Sequence, residues 1–285
     1  MSSADDLALK GQAVEEWIDL RFFRPVGIRI ARALEPSSVS ADQVTMWSLW
    51  IGLLAAHLFV YANPWINAAA FVLVVFADLL DSADGQLARL RGTASRTGRI
   101  MDGFADNLRW VATYVHVAVR LLILGWGWRA VALAVFAGVC HSLKSATVDF
   151  VHGAYLEVAF DKGRVELPED LEPVVGARWW WKAATSFYAS FTRNQAVLFP
   201  HTITLIRRSR AAGIGDDVRA RWAKEQRGPL AACPWIGQNA HIALLGAATI
   251  SGQAWMFLAA GAAMVLIAAG IVLSHERTAR RALAS

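Results

Sequence analysis

The chain has 285 residues, 56% of them hydrophobic, with 13 tryptophans and a formal net charge of +5; its mean hydropathy is +0.37 and its pI about 9.6. Soluble domains are about 45–50% apolar, so the composition points to a membrane protein. The positive charge is scattered between apolar segments, which argues against a nucleic-acid partner and suits loops facing anionic lipid and anionic substrates.

Met1 to Leu20 is acidic and polar, without the basic start and apolar stretch of a secretory signal. Trp17, Leu20, Phe22, Phe23, Ile28 and Ile30 then mix with Arg21, Arg24, Arg29 and Arg32. That mixture predicts one or two short amphipathic helices in the membrane interface, interrupted at Pro25. Residues 1–43 thus read as a cytoplasmic and interfacial segment.

A spanning helix needs about 20 mostly apolar residues. Six candidates follow: Val44 to Tyr61, Trp65 to Leu80, Met101 to Trp126, Trp128 to Leu143, Leu230 to Ile250 and Ala254 to Ser274. The expected fold is an all-α integral membrane bundle of six transmembrane helices with an N-terminal interfacial amphipathic helix. Residues 44–143 hold the first four spans, 144–229 a cytoplasmic or interfacial segment, and 230–285 the last two spans with a cytoplasmic tail.

Arginines crowd the segments before the first span, between the second and third, before the fifth and after the sixth, whereas the turns at Ala62-Asn63-Pro64 and Ser251-Gly252-Gln253 carry no charge. The positive-inside rule then puts both termini and the second-to-third connection in the cytoplasm. Arg120 and Arg129, near the third-to-fourth turn, are mild exceptions.

Between the fourth and fifth spans lie an acidic, hairpin-like patch (Asp161, Glu166, Glu169, Asp170, Glu172) and Trp179-Trp180-Trp181. The tryptophans suit either an interfacial anchor or the core of a small cytoplasmic lobe. Phe187 to Ile206 is apolar enough for a seventh pass, but Arg193, Asn194, Pro200 and His201 favour a surface or re-entrant element. Cys140 and Cys233 have apolar neighbours and no ligand spacing, so they read as buried thiols.

The chemistry lies in Asp81-x2-Asp84-Gly85-x2-Ala88-Arg89-x8-Gly98-x3-Asp102-x3-Asp106. Asp81 and Asp84, three apart, share a helix face, as do Asp102 and Asp106, four apart. Two antiparallel helices joined by the basic loop Leu90–Thr97 would turn these carboxylate pairs towards each other. Four converging carboxylates repel, and hard divalent cations, Mg²⁺ or Mn²⁺, relieve that conflict while keeping positions open for phosphate. Two such ions would clamp a diphosphate. Gly85 and Ala88 add no bulk beside the acids, and Arg89 offers a planar fork for phosphate. Arg91, Arg96 and Arg99 are candidates to hold a phosphorylated acceptor, or serve topology alone. Asp78, one turn before Asp81, is a partner behind the ligands, a polar lining residue or a neutral buried acid.

These eight positions resemble, without gap or substitution, the signature of the CDP-alcohol phosphotransferase family. The resemblance covers roughly Phe22 to Leu143; beyond it only the hydropathy is similar. It implies that Asp81, Asp84, Asp102 and Asp106 bind two divalent cations, that Asp106 is the general base, and that Gly85, Ala88, Arg89, Ser95 and Gly98 line the CDP site. It also implies a homodimer. Many members carry Pro-Asn-x-Val/Ile-Thr before the first span; here the segment is Ala41-Asp42-Gln43-Val44-Thr45, which adds Asp42 to the nucleotide-binding candidates.

The expected activity passes a substituted phosphate from a CDP-alcohol, foremost CDP-diacylglycerol, to an alcohol acceptor with release of CMP, in phospholipid synthesis. The same chemistry with a CDP-linked head group as donor and a lipid or polyol acceptor stays open. A divalent-cation transporter would also place acids on adjacent spans. Here, however, they cluster at one membrane face beside Gly85 and Arg89, without matching acids on other spans. A catalytically dead scaffold would be expected to have lost a motif acid, and none is lost.

Overall fold

The structure, a computed structural model, describes residues 14–171 and 178–284. Residues 1–13, 172–177 and 285, and with them Glu172 of the acidic patch, lie outside the described residues. A π-helical turn, Asp19–Phe23, runs into α1 (Arg24–Leu34), followed by α2 (Ala41–Leu58), α3 (Pro64–Leu90), α4 (Arg96–Ile123) and α5 (Trp128–Phe160). Beyond a 3-10 turn at Pro168–Asp170 come α6 (Trp179–Leu198), α7 (Pro200–Ala212), α8 (Asp216–Glu225) and α9 (Arg227–Ala232). A second 3-10 turn, Cys233–Trp235, precedes α10 (Gln238–Ile250) and α11 (Ala254–Ala284). Among the described residues there is no strand, so the acidic patch forms no hairpin there.

The α3, α5 and α11 helices are long and apolar enough to cross a membrane, and large apolar side chains such as Val72, Val135 and Leu266 point outwards from them, as lipid contact requires. The protein is an all-helical integral membrane protein. At 33 and 31 residues, α5 and α11 are about 50 and 46 Å long, longer than the ~30 Å hydrocarbon core. The fourth expected span therefore does not stop at Leu143 but continues as helix to Phe160.

Among the described residues these three helices stand beside the six spans expected. The α2 helix fills the first expected span with 18 residues, and α4 fills the third with 28 residues, but Arg99, Asp102, Asp106, Arg109 and Arg120 interrupt its apolar character. The fifth, Leu230 to Ile250, is not a continuous helix. It divides into the end of α9, the Cys233–Trp235 turn and the 13-residue α10, because Pro234 has no amide to donate. Nor does Pro25 break the N-terminal segment: it sits in the first turn of α1, directly after a π turn that takes up the missing backbone bond.

The chain forms two compact units, one of residues up to Gly138 with Ile242–Ala260, the other of Val139–His241 with Gly261 onward. In the first unit the starts of α2, α3 and α4 are chemically specified. Ser40 and Gln43 make a reciprocal capping box for α2, Asn63 accepts from the Trp65 and Ile66 amides ahead of α3, and Ser95 accepts from Gly98 at the start of α4. Such caps satisfy amides that have no partner in the first turn. The α3 helix ends at Gly92, whose φ of +65° suits a residue without Cβ.

The α1, α2 and α3 helices share a core of Ala31, Val44, Leu80 and Leu87, with Leu34, Val39, Ile51 and Leu90 around it. A Cβ on Gly27 would lie 2.6 Å from Gln86 Nε2 and 2.7 Å from Ser82 Oγ, so α1 approaches α3 closely there and a side chain would have to displace both. Arg91 closes this arrangement by donating to the carbonyls of Leu34, Glu35, Ser37 and Val39 at 2.6–2.9 Å. Its terminal nitrogens are thus turned to backbone carbonyls at the end of α1 and the turn that follows.

In the second unit, Glu157 accepts from Arg210 at 2.6 and 3.0 Å and from the Val165 amide at 2.7 Å. Asp170 also meets Arg210, and Glu169 meets Arg207, so these two members of the acidic patch are tied to α7. Glu276 of α11 accepts from the His201 and Thr202 amides at the start of α7, at 2.8 and 2.9 Å, where a negative charge is favoured. The 187–206 stretch is no single pass: it breaks between α6 and α7 at Pro200. Trp179 opens α6 in an exposed position, and Cys140 and Cys233 are both buried free thiols.

Candidate active site

The acids lie on two helices of the first unit. On α3, Asp78, Asp81 and Asp84 follow at intervals of three, so they climb one face. On α4, Asp102, Asp106 and Arg109, four and three apart, share a face in the same way. The two helices are joined by the short connection 91–95, and carboxylate oxygens of Asp81, Asp84 and Asp102 come within 4.8 Å of one another.

Three of the four predicted aspartates thus meet directly. Asp106 adjoins them by another route, its Oδ1 accepting from Arg109 Nη2. The same nitrogen reaches Asp81 Oδ1 at 3.3 Å. Arg109 Nη1 reaches Asp78 Oδ1 at 3.2 Å and Ser48 Oγ at 3.1 Å. Asp78 is therefore an ion-paired acid standing behind the motif, one of the three roles open to it from sequence.

The α2 helix reaches this site through two hydroxyls. Thr45 Oγ1 donates to Asp84 Oδ2 at 2.5 Å, and Ser48 Oγ donates to the Ala77 carbonyl at 2.9 Å, leaving its oxygen to accept from Arg109. Gly52, one turn further along α2, admits the Arg109 stem: a Cβ there would lie 2.4 Å from Arg109 Cδ.

Arg109, Ser48 and the role of Thr45 are absent from the sequence-based expectation. Arg109 carried a signal, being a lone charge one turn beyond Asp106 in an apolar stretch of α4, where an unpaired charge is costly. Thr45 and Ser48 carried none, since hydroxyls on apolar helices commonly bond their own backbone.

The other candidates divide. At Gly85 a Cβ would meet nothing closer than Arg89 Nη1, at 3.5 Å, so internal packing does not demand the glycine and its absent side chain leaves space beside Asp84. Half-buried Arg89 lies over that space and within Coulombic reach of Asp84 and Asp102. Ala88 is half-buried on the same helix. Ser95 and Gly98 form a local unit in which the Ser95 hydroxyl caps α4 at 3.0 Å. Asp42 is exposed in the first turn of α2, whose capping oxygen comes from Ser40.

The donor set fits a hard divalent cation. It contains carboxylate oxygens and no histidine or thiol, the preference of Mg²⁺ and Mn²⁺. An octahedral ion with bonds of about 2.1 Å separates its ligands by roughly 3–4.2 Å, so oxygens within 4.8 Å of one another need only small side-chain adjustment. These features define an all-helical integral membrane protein with an acidic, metal-competent site on two adjacent helices.

Residues 38–191 match the CDP-alcohol phosphatidyltransferase family, more than half of the 285-residue chain, and the chain belongs to that family. A 95-residue stretch is 32% identical to the archaetidylinositol phosphate synthase of Pyrococcus horikoshii, covering 33% of this chain and 49% of that protein. The chain thus spans about half the length of the curated relative it matches.

Proposed function

We propose that this protein transfers a substituted phosphate from CDP-diacylglycerol to an alcohol acceptor and releases CMP, in phospholipid synthesis. The observation that carries this reading is the convergence of Asp81, Asp84 and Asp102 next to Asp106 within a family-matched segment. The similar archaeal protein is named for an inositol phosphate lipid, which supports a phosphorylated polyol as acceptor.

Asp81, Asp84, Asp102 and Asp106 would hold two divalent cations, Mg²⁺ or Mn²⁺. When bound, these ions supply charge neutralisation for the diphosphate and for the departing CMP. Gly85 and Ala88 leave room for the donor to approach α3, Arg89 presents its fork to phosphate, and Ser95, Gly98 and Asp42 border the cytidine side. Asp106 takes the proton from the acceptor hydroxyl. The acceptor oxygen then bonds to the phosphorus that carries the diacylglycerol, and the bond from that phosphorus to the CMP oxygen breaks.

In this reading α2 and α4 also cross the membrane, and the broken α9–α10 segment supplies the sixth pass, with α1 lying in the interface. The arginine-rich connections support a cytoplasmic site, cytoplasmic termini and a cytoplasmic or interfacial 144–229 segment. Family resemblance supports a homodimer.

The test is detergent-purified protein with Mg²⁺, CDP-diacylglycerol and a panel of polyol phosphates. CMP release with one acceptor is expected. Failure to bind any cytidine nucleotide in the presence of divalent metal would overturn the reading.

A further inference from the structure

The motif acids stand on a second, deeper layer of charge. One turn before Asp81 on α3 is Asp78, and one turn after Asp106 on α4 is Arg109. Arg109 is a permanent cation, since its guanidinium does not deprotonate in proteins. It is 8% exposed, and its two terminal nitrogens divide four contacts. Nη1 takes Asp78 and Ser48; Nη2 takes Asp81 and Asp106.

This guanidinium is held from three helices. Its stem rises from α4 and lies across Gly52 of α2, its Nη1 donates to Ser48 of α2, and its two α3 acids, Asp78 and Asp81, sit on consecutive turns. A planar fork bridges such partners in one orientation, which a flexible ammonium does not.

Asp81 belongs to both groups. It supplies an oxygen to the Asp81–Asp84–Asp102 set and an oxygen to Arg109. Positive charge arriving at the three-carboxylate side therefore shares an acid with positive charge already built in on the other side.

We infer that Arg109 is a positioning residue that acts as the fixed counter-ion of the site, restraining divalent-cation capture through Asp81 and holding Asp106 where it receives the acceptor proton. The inference rests on the phosphotransferase reading and adds a residue outside the eight-position motif. It makes a demand that simple packing does not. Neutralising Arg109 removes one positive charge from beside the cation site, so metal binding tightens while turnover falls.

The experiment uses the full-length protein in detergent, with Mn²⁺ binding followed by electron paramagnetic resonance in the absence of substrate and CMP release followed separately. In Arg109→Gln, Mn²⁺ should bind about tenfold tighter or more, and kcat should drop by about 100-fold. In Arg109→Lys the charge is kept and the fork lost, so Mn²⁺ affinity should stay within about threefold of wild type while kcat falls about tenfold. Gly52→Ala, which pushes the stem without altering charge, should follow the lysine pattern.

Unchanged or weaker Mn²⁺ binding in a folded Arg109→Gln protein overturns the inference. Should that variant not fold, full kcat in both Arg109→Lys and Gly52→Ala overturns it instead. If wild type binds Mn²⁺ and releases CMP in either case, the phosphotransferase reading stands without Arg109. A wild type that does neither removes both.

Discussion

The Thr45 hydroxyl on α2 donates to Asp84 Oδ2 on α3 at 2.5 Å, so the first long helix fixes the rotamer of an acid on the second. Thr45→Val keeps the shape and removes the donor. We expect kcat/KM to fall about tenfold, the loss of a hydrogen bond to a charged group worth roughly 1.5 kcal/mol. Thr45→Ser should retain most activity. Steady-state CMP release over a Mg²⁺ titration checks this, and wild-type kinetics in Thr45→Val would remove Thr45 from the site.

Converging carboxylates also predict a metal-dependent stability. Oxygens of Asp81, Asp84 and Asp102 within 4.8 Å repel when the site is stripped with a chelator. Mg²⁺ binds the folded state and should raise the unfolding temperature with a concentration dependence set by its Kd. Asp84→Asn and Asp102→Asn should each abolish most of that rise. A melting temperature indifferent to Mg²⁺ in the wild type would count against a cation site at these residues.

Much of this site was legible because its chemistry is periodic. Asp81 and Asp84 at i, i+3 and Asp102 and Asp106 at i, i+4 define helix faces before any coordinates are known. What the spacing does not carry is the partner across helices. Arg109 of α4 links Asp106 of its own helix to Asp78 and Asp81 of α3, a bridge that depends on how α3 and α4 pack. Similarly, hydropathy finds the apolar α3, α5 and α11 but reads through Pro234, where one missing amide divides the fifth expected span. The acidic patch at Glu169 and Asp170 looked like a surface hairpin because its cationic partners, Arg207 and Arg210, lie some forty residues later.

Asp106→Asn separates base from scaffold. The amide is isosteric and still accepts from Arg109, so the protein should fold and bind CDP in the presence of Mg²⁺. Turnover should fall by about 100-fold or more, the usual loss when a general base is removed. Binding isotherms for CDP beside CMP release decide it. Undiminished release would reassign the base.

Arg91 distinguishes a structural arginine from a substrate-binding one. Its four carbonyl contacts reach the end of α1 and the following turn. Arg91→Ala should therefore destabilise the protein by about 2–3 kcal/mol, as several backbone acceptors lose a charged donor, and leave KM for the acceptor unchanged at temperatures where it is folded. A raised KM with wild-type stability would restore the acceptor-phosphate role.

Acid sensitivity should appear at the Glu169–Arg207 pair. The hydrogen bonds from Arg207 are the main cause that lowers the Glu169 carboxyl from its usual 4.5 to about 2. A carboxyl with a depressed folded pKa stabilises the fold above its unfolded value, so the contribution is complete above about pH 4.5 and lost as pH falls towards 2. Both side chains are about half exposed, at 48% and 54%, and solvent screening holds the gain to below about 1 kcal/mol. Glu169→Gln should accordingly melt slightly below wild type at pH 7, with the gap closing between pH 4.5 and pH 2 as wild type loses its ion pair. The gap should also narrow in high salt, because screening weakens an exposed pair. Paired thermal melts across that pH range check it, and a gap that widens on acidification would show that Glu169 is not stabilised as the carboxylate.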